Sequence, residues 1–193
     1  KNKGGRRMKW SVGKYKMGRK YGFWDVSRDR KKASVTVADR VLELVALAMA
    51  VTLLVLTGVF YAQAPETVPS HFNALGEADG WSGKEVYWVM AVLFLLIMVI
   101  SAAAAYNRKL VNLPIRLKEA VFYRQIGLIG RMCRIMTLCM GLIWLSVLLS
   151  MSSGILGISS VACACMIGGS VAVMLSVVMF YTLKIWWIGR NCD

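Results

Sequence analysis

Residues 65–84 read PETVPSHFNALGEADGWSGK and separate two long apolar runs, 41–62 and 86–106. This stretch holds the only histidine and two of the three prolines. It also gathers Glu66, Glu77 and Asp79, with Glu85 just beyond, and its only base is Lys84. Pro65 and Pro69 fix φ and lack N–H donors, Gly76, Gly80 and Gly83 tolerate positive φ, and Asn73 and Asp79-Gly80 favour turns. Neither a strand period nor a helix period runs through it, so the expectation is an irregular loop around which the chain is organised. Connections this long are typically functional or disordered, the usual median being about 4–6 residues. Turn formers at intervals and the aromatic anchors Phe72 and Trp81 favour order here, with His71 and Asn73 holding the shape and Glu77, Asp79 and Trp81 facing a ligand or partner.

The spacing Pro69-x-His71-Phe72-Asn73-x-x-Gly76-x-x-Asp79-x-Trp81-x-x-Lys84 resembles the signature loop of DUF1648. This is a bacterial membrane-protein family of unknown function that includes the immunity protein for a sporulation-delaying toxin. The resemblance covers about a tenth of the chain, with the apolar run on each side belonging to the same unit. It implies an immunity, toxin-sensing or signalling accessory role in which His71, Phe72, Asn73, Gly76, Glu77, Asp79, Trp81 and Lys84 form the ligand or partner loop. Asn112-x-Pro114, Arg124-Gln125 and Arg131-Met132-x-Arg134 also resemble the segment that follows the second span in such relatives.

Working outward, 58% of the 193 residues are hydrophobic, against about 45–50% in ordinary soluble domains. Mean hydropathy is +0.56. Four runs, 41–62, 86–106, 133–151 and 158–183, approach or exceed the roughly 20 residues that carry a helix across a bilayer core. The net charge of +14 comes from 24 Lys and Arg against 10 Asp and Glu, and position explains it. Fourteen bases lie in residues 1–40, one in loop 65–84, seven from Arg108 to Arg134, and two beyond, Lys184 and Arg190. Since Lys and Arg stay on the cytoplasmic side, both termini and the middle segment are expected inside, with loop 65–84 and the turn at Ser152-Ser153-Gly154 outside. With the charge so assigned, a nucleic-acid partner is not expected.

The expected fold is therefore all-α: a polytopic integral membrane protein of about four transmembrane helices with one structured extracytoplasmic loop. Residues 1–38 read as a basic, disordered cytoplasmic tail, and 39–106 as a two-span unit carrying the loop. The first span ends in Ala62-Gln63-Ala64, but its length and the following Pro65 argue against a cleaved signal peptide. Residues 107–132 read as a cytoplasmic amphipathic helix broken at Pro114, with Arg116, Arg124, Arg131 and Arg134 on one arc and Leu117, Val121, Ile126, Ile129 and Met132 opposite. Residues 133–193 carry two further spans and a short cytoplasmic tail, with Ala164, Gly168 and Ala172 at close-packing intervals of four.

Little in the sequence points to catalysis. His71, Glu77 and Asp79 are the one cluster able to hold a metal, but their spacing matches no preorganised geometry, so neither metal nor cofactor is expected. The five cysteines, Cys133, Cys139, Cys163, Cys165 and Cys192, form no disulfide framework, and Cys192 is a candidate for acylation. Arg40 and Glu43 share a helix face at the first span's inner mouth, where a boundary pair reaching cytoplasmic water is expected. The reading is a non-enzymatic protein of the bacterial inner membrane, in contact with the lipid bilayer and with a membrane or secreted peptide partner. Homo-oligomer formation stays open. The competing reading is a small transporter or ion-coupled carrier, for which Glu43 or a metal at His71 would have to matter.

Overall fold

A computed structural model describes residues 35–107, 111 and 121–191. The element order is α1 (Val37–Gln63), β1 (Thr67–Phe72), β2 (Ala78–Gly83), α2 (Val86–Ala104), α3 (Phe122–Met151), α4 (Ser153–Leu156) and α5 (Ser160–Arg190). The basic tail expected over 1–38 falls almost wholly outside the described residues, as do Pro114, Arg116 and Cys192.

Helix α1 starts four residues earlier than its apolar run because Thr36 and Asp39 form a capping box. The Thr36 hydroxyl accepts from the Asp39 N–H at 3.2 Å, and the Asp39 carboxylate accepts from the Thr36 N–H at 2.9 Å. Two backbone donors that the first turn would leave unpaired are thereby satisfied. Helices 37–63, 86–104, 124–151 and 160–190 are each long and apolar enough to cross a membrane. Large apolar side chains such as Val51 and Val55 of α1, Val92 and Leu96 of α2, and Leu175 and Met179 of α5 point outward and are exposed. An outer surface of this kind fits a hydrocarbon solvent better than water.

Helix α3 is the packing centre. Half of its apolar window is buried, against 11–17% for the other three, and it contacts α1, α2 and α5. Trp144 of α3 stacks on Phe94 of α2 at 6.2 Å, and with Leu53, Phe60, Ala91, Leu148 and Met151 it forms the larger core cluster. The smaller cluster, Ala104, Ile129, Cys133 and Ile185, lies toward the other end, where the buried Gln125 amide donates to the Ile185 carbonyl at 3.1 Å. Buried hydroxyls on the helices are satisfied by back-bonding, as with Ser150 to the Ser146 carbonyl at 2.8 Å.

Two expectations are corrected. The segment before the third span does not form a separate interfacial helix in its described part: from Phe122 onward it is continuous with the span. Arg124 is exposed as expected, but Arg131 and Arg134 turn toward α1. Loop 65–84 is also not irregular, since it folds as an antiparallel β-hairpin. The fold is thus helical with a small two-stranded sheet.

Candidate functional site

The two prolines of the hairpin segment sit where they do no harm. Pro65 precedes β1. The Lys84 N–H donates to the Glu66 carbonyl at 3.1 Å, and counting on from that bonded pair makes Val68–Ser82 bonded and Pro69–Trp81 unbonded. The missing Pro69 donor therefore points away from β2, where the ladder does not need it. Register shifts follow on both sides of His71, setting His71 opposite Gly80 and Phe72 opposite Ala78. Such bulges re-aim side chains.

Val68 is almost fully buried and joins the core cluster with Tyr87, Leu148 and Met151, while Phe72 packs against the same cluster. The Tyr87 and Ser152 hydroxyls meet at 2.9 Å, tying the start of α2 to the end of α3 beneath the sheet. Phe72 is therefore a docking residue rather than an outward anchor.

The tip is held by Asn73. Its Oδ1 accepts from the Leu75 N–H at 2.9 Å and the Glu77 N–H at 3.0 Å, its Nδ2 donates to Glu77 Oε2 at 3.0 Å, and its carbonyl accepts from the Gly76 N–H at 2.9 Å. Gly76 has φ of 79° and is buried. A Cβ there would strike the Ser160 carbonyl and lie 2.8 Å from the Ala164 nitrogen, so the tip rests on the first turn of α5.

On the outer face, His71 Nδ1 and Asp79 Oδ1 meet at 2.5 Å with side chains 74% and 45% exposed, and Trp81 is 62% exposed. Ser82 Oγ donates to Ser70 Oγ at 2.8 Å, and Lys84 Nζ to Glu66 Oε1 at 2.8 Å. The Glu66 carboxylate raises the Lys84 pKa above its usual value.

The eight sequence-predicted residues therefore share one hairpin but divide in role. Asn73, not His71, ties the backbone; His71 joins Asp79 on the solvent side; and the exposed Glu77 accepts from the Asn73 amide. His71, Glu77 and Asp79 do not converge, and among the described residues no three His, Cys, Asp or Glu side chains could hold a metal together. Asn73→Ala should open the tip by about 1–2 kcal/mol through two lost backbone bonds, read as faster protease nicking at 73–77. His71→Ala, breaking an exposed pair worth less than about 1 kcal/mol, should leave nicking near wild type.

A second cluster was not anticipated. Arg131 Nε donates to Asp39 Oδ1 at 3.0 Å, and Arg134 Nε to Glu43 Oε1 at 2.8 Å. Arg40 pairs with Glu43 at 3.1 Å as expected, and the Tyr106 hydroxyl also donates to Glu43. The Arg134 guanidinium lies 5.0 Å from the Tyr106 ring centroid. The signal was present in the sequence: acids at 39 and 43 and bases at 131 and 134, spaced to put each pair on one helix face. On a helix wheel the same arginines fall on one polar arc, which by itself reads as a surface.

Residues 48–95, spanning most of α1, the whole hairpin and the first half of α2, match the family described as Domain of unknown function (DUF1648). No curated protein and no solved structure matches the chain.

Proposed function

We propose that this chain is a multi-pass, non-enzymatic protein of the bacterial inner membrane whose hairpin faces the extracytoplasmic side and recognises a membrane-borne or secreted peptide. An immunity, toxin-sensing or signalling accessory role is the form of this reading that the motif over 69–84 supports. The observation that carries it is the hairpin's division of labour. Val68, Phe72, Asn73 and Gly76 are engaged in docking and order, while His71, Asp79 and Trp81 stand on the exposed side of the same small sheet. A surface ordered before binding avoids part of the entropy cost of association.

Labelling tests the orientation. In a cysteine-free background, a cysteine at Ala74 should react with a membrane-impermeant maleimide in intact cells, and one at Arg124 should react only after permeabilisation, because bases are retained inside. The opposite pattern would put the hairpin in the cytoplasm and end this reading. Recognition is tested by a photo-crosslinking residue at 81, which should yield a discrete adduct that disappears when Asp79→Asn is added. Equal adducts from 81 and from the outward position 92, or none from either, would overturn it.

The carrier reading has one observation in its favour, the Asp39, Glu43, Arg131 and Arg134 ladder inside the helix ends. Each member is paired, which favours a lock between α1 and α3 over a coupling site.

A further inference from the structure

Between α1 and α2, over α3, lies a cleft of about 210 Å³. Its walls include Ala46 and Ala50 of α1 and Leu95, Met98 and Ala102 of α2, and its lining is almost wholly apolar except at one end, where Glu43, Tyr106 and Arg134 stand. The alanines keep it open: α1 and α2 touch only lightly, each packing mainly on α3. From 42 to 50 the α1 wall runs about 12 Å at 1.5 Å per residue, less than half of a ~30 Å hydrocarbon core.

The polar end is not balanced. Arg134 is only 7% exposed, donates through Nε to Glu43, and has its guanidinium 5.0 Å from the Tyr106 ring centroid. Arg40 stands at the rim, 64% exposed, and uses one amino group on Glu43. Among the described residues around this end, Arg40, Arg131 and Arg134 face Asp39 and Glu43, three positive charges against two negative. An anionic group with acceptor oxygens fits these donors. Water suits the apolar remainder poorly, since it would find few polar partners there.

We infer that the cleft binds one acyl chain of an anionic phospholipid, with the phosphate end of the lipid directed to Arg134 and Arg40. This rests on the membrane reading above and is independent of what the hairpin recognises. The chain gains close contacts along the alanine-lined walls. The phosphate adds negative charge and acceptor oxygens beside the exposed Arg40.

The test uses the full chain purified in detergent from mixed lipids, with retained lipid counted by native mass spectrometry. One phosphatidylglycerol should survive delipidation at least tenfold better than phosphatidylcholine, and inorganic phosphate should not displace it. Ala102→Leu and Ala46→Leu, which fill the cleft and leave every charge in place, should each cut retention of phosphatidylglycerol tenfold. A spin label near the middle of a phosphatidylglycerol chain should show an immobilised component with the wild type that both variants lose. Equal retention of the two lipids by wild type overturns the headgroup assignment, and wild-type retention by correctly folded filling variants overturns the cleft. The labelling pattern at positions 74 and 124 decides the membrane reading separately, so the two failures are distinguishable.

Discussion

Glu43→Gln should destabilise the purified protein by about 3 kcal/mol, the lower end of the cost of breaking a buried ion pair. The sequence alone suggests a nearly silent change, because a boundary glutamate beside Arg40 is expected to reach water. In the structure Glu43 is 27% exposed but accepts from Arg40, Arg134 and Tyr106 together, and Arg134 is 7% exposed. Neutralising Glu43 leaves the Arg134 charge inside the bundle without its carboxylate, and that uncompensated charge dominates the cost. Arg40→Gln removes only the exposed partner and should cost less than about 1 kcal/mol. Replacing Glu43 and Arg134 together by leucine and methionine should recover much of the loss, since two apolar groups can stand where a buried pair stood. Denaturant titration in detergent reads all three. If Glu43→Gln stays within about 1 kcal/mol of wild type, Arg134 is solvated and the ladder is not a lock.

Gly76→Val should release the hairpin tip from α5. The φ of 79° costs a β-branched residue about 1–3 kcal/mol by itself. The added side chain must also displace the Ser160 carbonyl and the backbone at Ala164, neither of which is the flexible end of a side chain. The expected result is rapid proteolysis within 73–77 and loss of the position 81 photo-adduct, with the helices still assembled. Gly83→Ala is the internal control: a Cβ there meets the Glu85 carboxylate, which can swing aside. It should nick at the wild-type rate. Slow nicking of Gly76→Val would mean that the tip's order does not depend on its contact with α5.

What the sequence determined by itself was whatever depends on local composition. Four long apolar runs specify four helices, because a backbone away from water must satisfy its own hydrogen bonds. The motif 69–84 marked the segment between the first two, and residues 48–95 match the DUF1648 family. Even there, periodicity missed the strands. Pairing in the hairpin is supported by the Asn73 clamp, by Val68 buried against α3 and by Gly76 seated on α5, contacts made across the fold and not along the chain. Only the tertiary structure made α3 the centre of packing, gave the outer face of the sheet to His71, Asp79 and Trp81, and brought Arg131 and Arg134 to Asp39 and Glu43. The physical reason is rotational. A helix wheel assigns a face to each residue, but which face meets another helix is decided by the packing of all of them, and paired charges can then lie inside where the wheel expects a surface.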